Sequence, residues 1–131
     1  MNKDQYVKIA ISFGATGIAL GAIGAHLLKG NTFITELQLE SFKTGVRYQM
    51  FHAIMILILT LNNEKFDSKL NTTLKIMVLG VCMFSFSIYL LSIQKIIGLS
   101  LNSLGLLTPI GGLLLIYSWI RLLFSFKKNK I

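Results

Sequence analysis

The residues with the most chemical reach in this chain are two histidines, His26 and His52. Imidazoles ligate metals and haem and carry protons near neutral pH. His52 follows Tyr48 and Gln49 by four and three residues, which puts all three on one side of a helix. Ser85 and Tyr89, four residues apart, make a similar pair further along. His26, Tyr48, Gln49, His52, Ser85 and Tyr89 are therefore the candidate polar cluster. Its conceivable chemistries are ligation by paired histidines and a proton relay through His52, Tyr48 and Tyr89. A metal site wants three or four ligands, however, and Glu36 and Glu40 lie in the segment before His52 rather than beside it. The single cysteine, Cys82, allows no intramolecular disulfide and no zinc cluster, and reads as a small hydrophobe. There is no nucleophile elbow, phosphate loop or pair of intramembrane carboxylates. The residues thus assign no catalytic, metal or cofactor-binding role and no cofactor, and the chain is expected not to be an enzyme. The expected work of the cluster is hydrogen bonding between helices.

Those helices follow from composition. The chain is 53% hydrophobic and 14% charged, with a mean hydropathy of +0.68. Four apolar stretches, Tyr6–Leu28, Phe42–Leu61, Leu74–Ile93 and Leu104–Phe126, each approach the roughly 20 residues needed to cross a hydrocarbon core about 30 Å thick. Residues 1–131 are read as one all-α membrane domain, a four-helix bundle. Lys3 and Lys8 before an apolar run ending in Ala22-Ile23-Gly24-Ala25 resemble a secretory signal. The run is too long for a signal core, so a retained span is expected.

The formal net charge of +8 invites a nucleic-acid reading, but the distribution of the charge favours topology. With four spans both termini share a side with the second connection. That side collects Lys3, Lys8, Lys65, Lys69, Lys75, Arg121, Lys127, Lys128 and Lys130, nine of the 13 basic residues. Basic loops stay in the cytoplasm, so both termini are expected inside, in a plasma membrane. The tail Lys127-Lys128-Asn129-Lys130 would meet anionic inner-leaflet lipid. Arg47, near the outer end of span two, is expected to snorkel to the headgroups.

On a helical wheel, span one has a glycine stripe, Gly14, Gly17, Gly21 and Gly24, and a second small face, Ala15, Ala19, Ala22 and His26. Thr16, Leu20, Ile23 and Leu27 form the bulky remainder. Close approach over small residues drives helix association in lipid, so two small faces predict two neighbours and a central position for this helix. In span two, Thr35 and Gln38 form a capping box, with either a continuous helix or a break near Ser41. Gly45, Tyr48, Gln49, His52 and Ile56 make its inward face, matched in span three by Cys82, Ser85, Tyr89 and Ser92. Span four opens with Thr108-Pro109, read as an N-cap followed by proline at the first helical position. Gly111 and Gly112 allow close approach, and Trp119 and Arg121 read as interfacial anchors.

Four strings, in order and spacing, carry a family resemblance. They are Gly21-Ala22-Ile23-Gly24-Ala25-His26, Phe42-Lys43-Thr44-Gly45-Val46-Arg47-Tyr48-Gln49-Met50-Phe51-His52, Phe84-Ser85-Phe86-Ser87-Ile88-Tyr89-Leu90 and Thr108-Pro109-Ile110-Gly111-Gly112. Together they resemble the small four-span membrane family catalogued as domain of unknown function 423, whose animal relatives are called transmembrane protein 256-like. Phe86 stands where the family pattern has glycine, and Ser118 where it tends to have glycine before Trp119. The resemblance implies a bacterial-type plasma-membrane protein of four helices and brings no activity or cofactor.

The function expected is that of a non-catalytic membrane assembly or stabilising component. Its partners are lipids, with room for a homo-oligomer or a membrane-protein partner, and no nucleic acid is expected. The alternative is a small oligomeric transporter or channel whose polar path runs along Tyr48, Gln49, His52, Ser85 and Tyr89.

Overall fold

A computed structural model describes residues 1–127. Four helices long and apolar enough to cross a membrane account for most of them: α1 (Lys3–Leu28), α2 (Glu36–Leu61), α3 (Lys69–Ile93) and α4 (Asn102–Ser125). Each begins outside the apolar stretch that marks it, and in α1 and α2 a capping box sets the outer end. Asn2 and Gln5 cap α1 reciprocally, and Thr35 and Gln38 do the same for α2. From that cap α2 runs through Ser41 without a break.

The helices pack in chain order. α1 lies chiefly on α2, α2 on α3, and α3 on α4. The central elements are therefore α2 and α3, not α1. Only one small-residue face of α1 meets a neighbour. A Cβ added at Gly17 would fall 3.0 Å from Met50 Cγ, one at Gly24 3.1 Å from the Phe42 ring, and one at Gly21 3.5 Å from Val46. Gly14, at the other end of the stripe, has nothing within 4 Å. Ala15, Ala19, Ala22 and His26 are exposed on the outside of the bundle. The glycines let α1 approach α2, and among the described residues nothing covers the alanine face.

Two turns are π-helical, Gly24–Leu28 closing α1 and Cys82–Phe86 within α3. At the second, α4 makes its closest crossing. A Cβ on Gly111 would strike the Phe84 backbone nitrogen and lie 2.8 Å from the Met83 carbonyl carbon. A Cβ on Gly80 would lie 2.8 Å from Leu115 Cδ2, so α3 supplies its own glycine to the same crossing. Gly112 meets only the Phe84 ring, at 3.6 Å. Pro109 lies two residues deeper than the sequence suggested, since helical geometry begins at Leu107 after a 3-10 turn at Asn102–Leu106. It remains within the first turn, where no intrahelical N–H bond is lost. The Thr108 hydroxyl bonds Ser87 Oγ at 2.7 Å and so ties α4 to α3 instead of capping.

One end of the bundle is tied across the chain. The Tyr6 hydroxyl donates to the Asn71 carbonyl at 2.8 Å. Asp67 N donates to Ser125 O at 2.8 Å and Lys127 N to Lys65 O at 3.0 Å, with an antiparallel bridge between Phe66 and Phe126. The start of α1, the α2–α3 connection and the end of α4 thus share one end. Ile56, Met77 and Val81, all fully buried, mark the apolar core above it.

Candidate functional site

Gln49 is the hub of the buried polar contacts. Its side chain is fully buried, and the close approach of α1 at Gly17 brings it within reach of that helix. Gln49 Nε2 donates to the Phe13 carbonyl and to Thr16 Oγ1, both at 2.8 Å. On the other side its Oε1 accepts from the Tyr89 hydroxyl at 2.8 Å. One amide thereby joins α1, α2 and α3 and uses both of its donors. Thr16, which the wheel grouped with the bulky residues Leu20, Ile23 and Leu27, turns part of its surface inward, and its own hydroxyl passes on to Ser12 O at 2.7 Å.

From this hub towards the start of α2 the α2 and α3 faces meet as a ladder. Ser85 Oγ donates to Gly45 O at 2.8 Å, and Ser92 Oγ to Gln38 O at 3.1 Å. Gly45 allows the approach, because a Cβ there would lie 2.8 Å from the Tyr89 ring. The acceptors are carbonyls already inside a helix, whose second lone pair is free to take a cross-helix bond.

His52 belongs to a different junction. Its Nδ1–H donates to Tyr48 O at 2.7 Å, which leaves Nε2 to accept from Trp119 Nε1–H at 3.1 Å. That pattern requires the neutral ring with its proton on Nδ1. Both nitrogens are thus occupied, and the contact is the polar link between α2 and α4. Trp119 is accordingly turned to a partner in the bundle while part of its ring stays exposed. Arg121, two residues on, reaches Thr73 Oγ1 at 3.2 Å, and its guanidinium stacks 5.7 Å from the Tyr117 ring centre.

The six candidate residues are therefore divided. Gln49, Ser85 and Tyr89 converge and His52 joins through α4, whereas Tyr48 lies half-exposed with its ring 4.8 Å from Phe84. His26 is exposed, in the turn whose Gly24 rests on Phe42, ten residues and about 15 Å of helix rise from His52. The two histidines do not meet. Among the described residues no three of His, Cys, Asp and Glu gather where they could hold a metal ion. Phe86 takes up its larger volume at the bundle edge, its ring meeting Phe13 edge-on at 6.2 Å, and Ser118 is fully buried with its hydroxyl on Leu115 O at 2.7 Å.

Among the described residues, no buried side-chain nitrogen or oxygen lacks a hydrogen-bond partner. A cleft of about 360 Å³ opens beside His52 between α2 and α4, walled by Arg47, Tyr48, Phe51 and Trp119.

Four spanning helices cross-linked by side-chain hydrogen bonds define an integral membrane protein of the small polytopic class. The chain belongs to the family described as Protein of unknown function (DUF423), which matches residues 20–112. It is 34% identical over 125 residues to the UPF0382 membrane protein YwdK of Bacillus subtilis, covering 91% of this chain and 96% of that protein. A UPF0382 membrane protein of Haemophilus influenzae is 32% identical over 129 residues, 98% of each chain. One from Schizosaccharomyces pombe is 34% identical over 117 residues, 88% of this chain and 96% of the relative. No solved structure matches the chain.

Proposed function

We propose that this protein is a non-catalytic component of the plasma membrane that acts through the outer surfaces of its bundle, in the assembly or stabilisation of membrane partners. The observation that supports this most is the complete pairing of buried polar side chains with one another and with helix carbonyls among the described residues. Polar groups inside a membrane pair with one another or with backbone carbonyls. Gln49 and Tyr89 are paired with neighbouring helices, and His52 with its own helix through Nδ1 and with α4 through Nε2. Charge distribution supports cytoplasmic termini, since the tied end of the bundle carries the basic majority. The terminal lysines would add attraction to anionic inner-leaflet lipid of about 1 kcal/mol each. Of that cluster Lys127 donates to Glu64 O at 3.0 Å, while Lys128 and Lys130 lie outside the described residues.

The cleft at His52 gives a transport reading its one specific support, and one variant separates the two. In the structural reading His52→Ala removes the acceptor of Trp119, lowers the unfolding temperature in detergent, and shifts the emission of the chain's only tryptophan. Vesicles containing the wild-type protein should show no pH-driven ion flux above that of protein-free vesicles. A flux that His52→Ala abolishes while the helices stay folded would make transport the function.

A further inference from the structure

Lys43 and Arg47 are one turn apart on α2 and share a single counter-ion. Lys43 Nζ lies 2.7 Å from Glu40 Oε1, while the nearest Arg47 nitrogen lies 3.9 Å from Oε2, too far for a hydrogen bond. The three side chains together carry a net charge of +1. Arg47 nevertheless projects from the face of α2 that also bears Phe51, Ile54 and Ile58, all exposed apolar side chains that meet acyl chains in a bilayer. A guanidinium on that face needs an anion that lipid can supply.

The surface on either side of the two cations is concave. Towards α4 is the cleft of about 360 Å³ between Arg47, Phe51 and Trp119. Towards α1 is a second of about 240 Å³, floored by Gly21, Gly24 and Val46 and rimmed by Lys43 and Arg47. Arg47 is common to both. The second exists because the glycines that let α1 approach α2 leave no side chain to fill the furrow between them.

We propose that Lys43 and Arg47 bind the phosphate of an anionic bilayer phospholipid, whose two acyl chains lie in the clefts on either side. The guanidinium fork and the ammonium both suit phosphate oxygens. One monoanionic headgroup neutralises the +1 left by Glu40. Two apolar furrows meeting at one charged point match a diacyl lipid in shape, a match that a soluble anion or an acidic peptide lacks. The site is distinct from the terminal lysines, being at the other end of the helices and part-way down the lipid-facing surface.

Trp119, the only tryptophan, lines the α4-side cleft and reports on what enters it. The full-length protein is reconstituted in phosphatidylcholine–phosphatidylglycerol vesicles in which one lipid at a time carries brominated acyl chains, and quenching of Trp119 is titrated against lipid composition. Brominated phosphatidylglycerol is expected to displace phosphatidylcholine with about a fivefold preference, the ratio given by about 1 kcal/mol of headgroup attraction. In the Lys43→Gln/Arg47→Gln double variant, where Glu40 alone leaves a charge of −1, the ratio should fall to one or below, with helix content unchanged because both side chains are exposed. Glu40→Gln provides an independent variant that raises the local charge to +2 and should increase the preference. Equal quenching by both lipids in the wild-type protein, a preference that survives the double variant, or one that Glu40→Gln leaves unchanged or lowers would each overturn the proposal.

Discussion

Gly111→Ala is expected to destabilise the protein by about 3 kcal/mol, at the upper end of the range for overpacking a tight contact. The new methyl group would meet the Phe84 nitrogen and the Met83 carbonyl carbon, which are backbone atoms. Side chains can rotate away from an intruding atom, but here one of the two helices must move. Movement of α4 there would also stretch its Thr108–Ser87 bond to α3 and its Trp119–His52 bond to α2. Gly112→Ala supplies the control one residue along: its methyl would reach the Phe84 ring at 3.6 Å, ordinary contact, so stability should stay within about 0.5 kcal/mol of wild type. Gly14→Ala, into open space, should behave the same way. Unfolding in detergent, followed by helix content, measures all three. Equal losses at Gly111 and Gly112 would mean that the crossing is looser than described.

The second large effect is expected from Gln49→Leu. Leucine keeps the apolar bulk of the site but removes three hydrogen bonds to two other helices. At about 0.6 kcal/mol for each interhelical bond in a membrane protein, the loss is about 2 kcal/mol. The buried hydroxyl of Tyr89 loses its acceptor and adds a desolvation penalty of its own. Because Gln49 is the main polar link from α1 to the rest of the bundle, α1 should become the helix most open to proteolysis in the variant. His52→Ala, by contrast, should loosen the α2–α4 junction and leave α1 protected.

Much of this architecture was legible in the sequence, for identifiable reasons. Span number follows from hydrophobic length, because lipid leaves the backbone few alternatives to helix. The α2–α3 ladder was visible because Ser85, Tyr89 and Ser92 repeat at helical spacing and need partners, and Gly45 and Gln49 offer a matching face; Cys82, read with the first set, makes none of the ladder's bonds, and His52, read with the second, turns to α4. The Thr35–Gln38 cap followed from residue type alone.

What the wheel could not supply was the identity of each neighbour. It grouped Thr16 with leucines, although the hydroxyl lies at the edge of that stripe and bonds Gln49. It gave α1 two partners because two of its faces are small, yet smallness permits approach without requiring it. The His52–Trp119 pair was hidden for a different reason, since Trp119 was measured from the end of its span. Counted from the start, His52 is sixteen residues into α2 and Trp119 seventeen into α4. Those helices run in the same direction, so the two rings share a depth. Gly80 gave no periodic signal, because one glycine in an apolar helix has meaning only once the helix crossing it is known.

The central claim is that the intramembrane polar residues act as bonds between helices. It is tested most directly by a double-mutant cycle on Gln49→Leu and Tyr89→Phe, measured as unfolding free energy in the same detergent. Two groups joined at 2.8 Å should show a coupling of about 0.6–1.7 kcal/mol, the range found for interhelical hydrogen bonds in lipid. Strict additivity, with neither single substitution lowering stability, would contradict the account.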